Sequence, residues 1–145
     1  MERSEQAKEL FLSGHNCSQA LLLTFADDLK YSRELALKIA SGFGGGMGKQ
    51  QETCGAVTGA IMVLGLFRGE QVNNNDELKS KTYGSVRELN RQFTEAFQST
   101  NCLKLTGCDL NTPEGEEKFR EEEVMKGICT ECVKKAVQIV ESMID

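Results

Sequence analysis

Apolar positions recur every three or four residues along much of this chain, the period of a helix buried on one face. The clearest case is the C-terminus, where Val133, Ala136, Val137, Val140, Met143 and Ile144 fall on a single stripe. Val86, Leu89, Phe93, Ala96 and Phe97 form a second stripe, and Ala36, Ile39, Ala40 and Phe43 a third; all three read as core faces. No run of alternating apolar and polar residues bounded by hairpin turns is present, so strands are not expected. Turn-forming residues interrupt the pattern at Gly14 to Asn16, Lys30 to Ser32, Gly42 to Gly48, Asn73 to Asn75, Ser99 to Asn101 and Asn111 to Pro113. The prediction is an all-α bundle of six or seven short helices. With 145 residues and no linker, repeat or low-complexity tract, it forms one domain over 1–145.

Helix starts are marked by side chains able to accept a hydrogen bond from the first-turn N–H groups. Asn16 with Gln19 three residues on is a capping-box pattern ahead of the apolar run Ala20 to Leu23. Thr53 and Asn101 are further cap candidates, and Thr112 before Pro113 is a favourable helix opening. The acidic residues after it, from Glu114 to Glu123, read as a solvated face.

Composition narrows the partners. The chain is 39% hydrophobic and 27% charged, as in ordinary globular proteins. A net charge of -5, no basic run, no tryptophan and two tyrosines leave it without the footprint of a nucleic-acid binder. The start, with Glu2, Arg3 and Glu5, is too charged for a secretory signal. The longest uncharged apolar stretch, Cys54 to Phe67, falls short of the roughly 20 residues that cross a bilayer and reads as a buried helix, so no membrane association is expected. The expected location is cytoplasmic, where the six cysteines would be reduced thiols available as ligands or redox groups.

The cysteines carry the candidate chemistry. Cys17, Cys54 and Cys102 each follow a cap-forming residue, Asn16, Thr53 and Asn101, and so are placed at three helix N-termini. There the unpaired N–H groups and the positive end of the dipole favour thiolate, primed for metal ligation or redox exchange. Cys129 and Cys132 form a C-x-x-C pair opening the C-terminal helix, a spacing that allows a shared metal or a disulfide. Each cysteine also has a bland reading as a small buried hydrophobe. His15, the only histidine, reads best as a surface turn residue. The run Gly42 to Lys49 fails as a phosphate loop, because Phe43 stands where a glycine is required and Gln50 where Ser or Thr would hold magnesium; no nucleotide is expected. It reads instead as a flexible, close-approach loop leading to Cys54, and Gly55 and Gly59 on one helix face would admit another backbone nearby.

Taken together, GHNCSQ (14–19), FGGGMG (43–48), CGAVTG (54–59), Asn101 with Cys102, GCDL (107–110) and Cys129 resemble the C_GCAxxG_C_C family, described as redox-active proteins. Position by position, Cys17, Cys54, Cys102 and Cys129 look like the family's four cysteines; Cys108 and Cys132 look like extras and are secondary candidates. The box departs locally from the family name, since Ala56 follows Cys54 by two places and Gly59 by five. The resemblance implies a redox role. A similar domain accompanies haem in some multihaem cytochromes, but this chain has no C-x-x-C-H site and haem is not expected.

Three functional readings compete. The first is an iron-sulfur cluster or other thiolate-bound metal held by Cys17, Cys54, Cys102 and Cys129, serving electron transfer with a redox partner protein. The second is a metal-free thiol-disulfide oxidoreductase. The third is a helical structural or interaction module with buried cysteines. A homo-oligomer is expected.

Overall fold

The computed structural model describes residues 1–145 and contains no strand, only an isolated bridge between Thr53 and Asn101. Eight right-handed helices make up the molecule: α1 (Arg3–Leu12), α2 (Cys17–Leu29), α3 (Arg33–Ala40), α4 (Gly55–Gly69), α5 (Asn75–Phe97), α6 (Cys102–Thr106), α7 (Pro113–Glu121) and α8 (Thr130–Ile144). The expected all-α class holds. The count exceeds the expected six or seven by one; α7 ends at Glu121, and a π-helical turn, Met125–Cys129, leads into α8.

At the centre α2 packs on α4, with α1, α3, α5 and α8 around them. The central pairing follows from glycine. A Cβ added to Gly59 would lie 2.7 Å from Leu21 Cβ and 2.9 Å from the Ser18 carbonyl, so only a residue without a side chain lets the two backbones approach. One hydrophobic core results, joining Ala7 and Phe11 of α1, Leu21, Leu22 and Phe25 of α2, Val57 and Leu64 of α4, Leu89 and Phe93 of α5, and Val133, Val137 and Val140 of α8. Cys54 to Phe67 is the buried helix anticipated, and no helix is long and apolar enough to cross a membrane.

Two predicted core positions face water instead. Ile39 is 53% exposed, because α3 turns only Ala36 and Ala40 inward, and Ala96 is exposed near the end of α5 while Phe93 is buried and Phe97 partly buried. An eight-residue helix resting on two alanines has room for only a narrow contact stripe.

The glycine run adopts a conformation that residue type alone did not predict. From Gly45 to Lys49 five successive residues have positive φ (62°, 70°, 67°, 61° and 61°), forming a left-handed turn. Left-handed backbone costs an L-residue roughly 1–2 kcal/mol, a penalty borne here by Met47 and Lys49. Hydrogen bonds hold the turn: Lys49 N–H donates to the Gly44 carbonyl at 3.1 Å, Gln51 to Gly45 at 3.0 Å and Glu52 to Gly46 at 2.9 Å. The segment is thus a close-approach element, as expected, and a bonded turn instead of a flexible loop.

Candidate functional site: a cavity lined by cysteines

Each cysteine is placed by local chemistry. Asn16 caps α2 through the anticipated box: its Oδ1 accepts from Gln19 N–H at 2.8 Å, and Gln19 Oε1 accepts from Asn16 N–H at 3.0 Å, so Cys17 is the first helical residue. Asn16 Nδ2 also donates to the carbonyls of Ala40 and Ser41, at 3.3 and 3.2 Å, tying this helix start to the chain entering the glycine turn. Asn101 caps α6 by accepting from Lys104 N–H at 3.0 Å, which makes Cys102 the first residue there. At the third position the structure corrects the expectation. Thr53 is held in the bridge to Asn101, and Cys54 itself is the N-cap of α4. Cys54 N–H donates to the Thr100 carbonyl at 2.7 Å and Cys102 N–H to the Glu52 carbonyl at 2.6 Å, so the two cysteines are carried on paired backbones. Cys129 closes the π-helical turn and Cys132 is the third residue of α8.

Five of the six cysteines, Cys17, Cys54, Cys102, Cys129 and Cys132, line one cavity of about 300 Å³. Its walls are otherwise mostly apolar, with Phe11, Leu105, Phe119, Met125 and Ile128; no acidic side chain lines it, and Lys49 and His15 do. His15 is not the free surface residue expected. Its Nδ1–H donates to the Leu10 carbonyl at 3.0 Å, and its ring lines the cavity. Cys108 is fully buried outside the cavity lining, its thiol donating to the Thr106 carbonyl at 3.4 Å.

The electrostatics separate the thiols. Burial, then the neighbouring sulfurs, pushes Cys17 well above the ordinary value of 9.0, and the same causes push Cys129 up to about 12. Cys102 is raised by burial and by Cys54, with partial relief from the Gln51 amide. Cys54 moves the other way. The Cys132 thiol donates to its sulfur, the Ala56 and Val57 N–H groups add to this, and together they outweigh desolvation. As donor in that pair, Cys132 holds its proton and is raised. Of the three thiols at helix starts only Cys54 follows the dipole expectation, with the Cys132 thiol as the larger cause; at Cys17 and Cys102 burial outweighs the helix start.

Gln51 is a site residue that sequence reasoning missed. It is buried, with φ of 58°. Its Nε2 donates to the Cys108 carbonyl at 2.7 Å and its Oε1 accepts from Leu110 N–H at 2.8 Å, while the amide also reaches the Cys102 sulfur. One side chain thereby ties the segment before Cys54 to both Cys102 and the 106–110 loop. Replacing it with leucine would strand the Leu110 N–H, at a cost of about 1–3 kcal/mol, and leave the Cys108 carbonyl with only the Thr106 hydroxyl. Gln51→Leu is expected to lower the urea midpoint and to slow alkylation of Cys102 at pH 9, where less of that thiol would be ionised; unchanged values of both would remove Gln51 from the site.

The chain was compared with known proteins. No solved structure matches it. A protein of Archaeoglobus fulgidus, named only as an uncharacterized protein, is 28% identical over 151 residues, an alignment covering 96% of this chain and 93% of that one. A family model described as "Putative redox-active protein (C_GCAxxG_C_C)" matches residues 15–143, a span that contains all six cysteines, the glycine turn and Gln51. This chain belongs to the C_GCAxxG_C_C family.

Proposed function

We propose that the chain is an electron-transfer protein whose working group is an iron-sulfur cluster held by Cys17, Cys54, Cys102 and Cys129. The observation that carries this reading is that four thiols from four separate segments border one cavity lacking any carboxylate. No group of three or more His, Cys, Asp or Glu side chains is arranged to hold a metal ion. A single tetrahedral zinc would need sulfurs about 3.8 Å apart, from Zn–S bonds near 2.3 Å. A polynuclear cluster sets its thiolate ligands farther apart than one ion does, and it needs a space such as the cavity of about 300 Å³ that these cysteines border. The donor chemistry also fits, since cysteine thiolates are the ordinary ligands of such clusters, which supply one-electron chemistry when bound.

The chain's own residues favour an anionic group there. The N-termini of α2 and α4 and the Lys49 side chain lower the cost of negative charge, and Phe11, Phe119, Met125 and Ile128 exclude water. The Cys132 thiol, donating to Cys54, supplies a hydrogen bond to a ligand sulfur, one of the factors that tune such potentials. Electrons would be exchanged with a redox partner protein.

Anaerobic purification or reconstitution is expected to give a coloured protein containing iron and acid-labile sulfide. Cys17→Ser, Cys54→Ser, Cys102→Ser and Cys129→Ser should each lower cluster content several-fold, while Cys108→Ser should retain it. Full retention in any of the first four would overturn the ligand set.

The Cys54–Cys132 pair favours a second reading, thiol-disulfide exchange. The Cys54 thiolate would attack a substrate disulfide, forming a mixed disulfide and releasing one thiolate. Cys132, giving up its proton, would then displace the second thiolate, leaving a Cys54–Cys132 disulfide and a reduced substrate. A colourless, metal-free protein that loses two thiols reversibly on oxidation, with those two residues cross-linked in its peptide map, would favour this reading. Six inert thiols under both conditions would leave the helical interaction module.

A further inference from the structure

Away from the cysteines lies a second groove of about 460 Å³, floored by α2 and α4 and bordered by α3 and α5. Four of the molecule's large exposed apolar side chains line it: Leu35 at 56% exposure, Ile39 at 53%, Leu66 at 42% and Tyr83 at 57%. Leu35 and Ile39 stand four apart on α3 and form a ridge directly beside the groove. Ridge and groove on one face are the two halves of a ridge-into-groove contact.

We propose that this face is the interface of a two-fold symmetric homodimer, in which the Leu35–Ile39 ridge of each copy seats in the groove of the other. A two-fold contact uses the same patch twice, so the patch must complement itself in shape and in charge. Its charged rim meets that condition. Arg33 lies 3.8 Å from Asp27, Lys38 3.1 Å from Glu34 and Lys79 3.6 Å from Asp76, so each of these cations has an anion of its own chain beside it. The chain as a whole carries -5, so two copies repel through most orientations and least through this face. A strongly acidic or basic partner, or an anionic lipid surface, would find no complementary field there.

With about half of each side chain in water, the four residues offer roughly 400 Å² of apolar surface per copy, about half of what each partner buries in a standard interface. The partly buried groove lining, including Met62 and Leu78, and the polar rim add to it. An apolar centre inside a charged border is the usual anatomy of a stable interface.

Sedimentation velocity of the full chain, reduced and metal-free, tests this. The expected mass is twice 16.0 kDa at tens of micromolar and above. Ile39→Glu and Tyr83→Glu should each weaken self-association by at least about a hundredfold while leaving far-UV circular dichroism unchanged, because both side chains are already more than half exposed. Leu103→Glu, at an exposed position on α6 that does not line the groove, should leave the dimer intact. A wild-type chain of 16.0 kDa throughout, a dimer that survives both groove variants, or one lost in Leu103→Glu would each overturn the proposal. The readout is independent of the cysteines, so its failure is distinguishable from failure of the cluster reading.

Discussion

Gly46→Ala is expected to lose at least about 3 kcal/mol of folding stability and to disorganise the cysteine cavity. Gly46 lies in the left-handed turn with φ of 70° and lines the cavity. A Cβ at this position would fall 2.7 Å from Cys102 Cβ, 2.7 Å from Gln51 Cα and 2.7 Å from the Glu52 nitrogen. Two of these contacts are backbone and cannot rotate away. The backbone is also fixed locally, since the Gly46 carbonyl accepts from Glu52 N–H and Glu52 in turn accepts from Cys102 N–H. Relief of the clash must therefore move Cys102.

Gly107→Ala provides the control. Gly107 has nearly the same φ, 67°, but nothing within 4 Å of its added Cβ, so it should show the conformational penalty alone, roughly 1–2 kcal/mol. Urea unfolding of the two variants separates steric from conformational cost. Equal losses would mean that close packing on Cys102 contributes nothing.

The second large effect is a fall in stability of the reduced, metal-free chain above pH 9. Cys17, Cys102, Cys129 and Cys132 all have raised values in the folded protein. A raised thiol contributes stability that is fully present below its unfolded value near 9.0 and is lost as pH rises towards the folded one, because only the unfolded chain releases the proton in that window. For Cys129, raised to about 12, the loss is about 1.4 kcal/mol per pH unit from 9 upward. The three other thiols add to it in the same direction. Cys54, lowered, has the opposite sign: its contribution grows as pH rises towards 9.0 and is constant above. Stability should thus peak just below pH 9 and then fall steeply. Denaturant titrations at pH 8, 9 and 10 measure the slope, and Cys129→Ala should reduce the fall between 9 and 10 by about 1 kcal/mol. A flat wild-type profile would show that the thiols are not buried as described.

Much of the site is legible because its determinants are short-range. A cap acts within one helical turn, so Asn16 with Gln19, Asn101 and Thr112 place three helix starts, and with them Cys17 and Cys102, without knowledge of the rest of the molecule. Thr53 is the instructive failure. It has the right side chain for a cap, but pairing of its backbone with Asn101, distant in sequence, holds it extended and shifts the cap to Cys54. Ile39 fails similarly. A helical period shows which residues share a face, not how wide a strip of that face the neighbours cover.

Amino-acid order by itself determined the all-α class, most helix starts, the glycine demand near the cysteines and the identity of the groups able to do chemistry, since each depends on neighbours within a few residues. Tertiary structure alone decided that Cys132 joins the cavity while Cys108 does not, that Gln51 is the side chain tying the segments together, and that five successive residues turn left-handed. Those outcomes depend on how α2, α4 and α8 pack and on which buried polar groups need partners, contacts between residues tens of positions apart that no local pattern encodes.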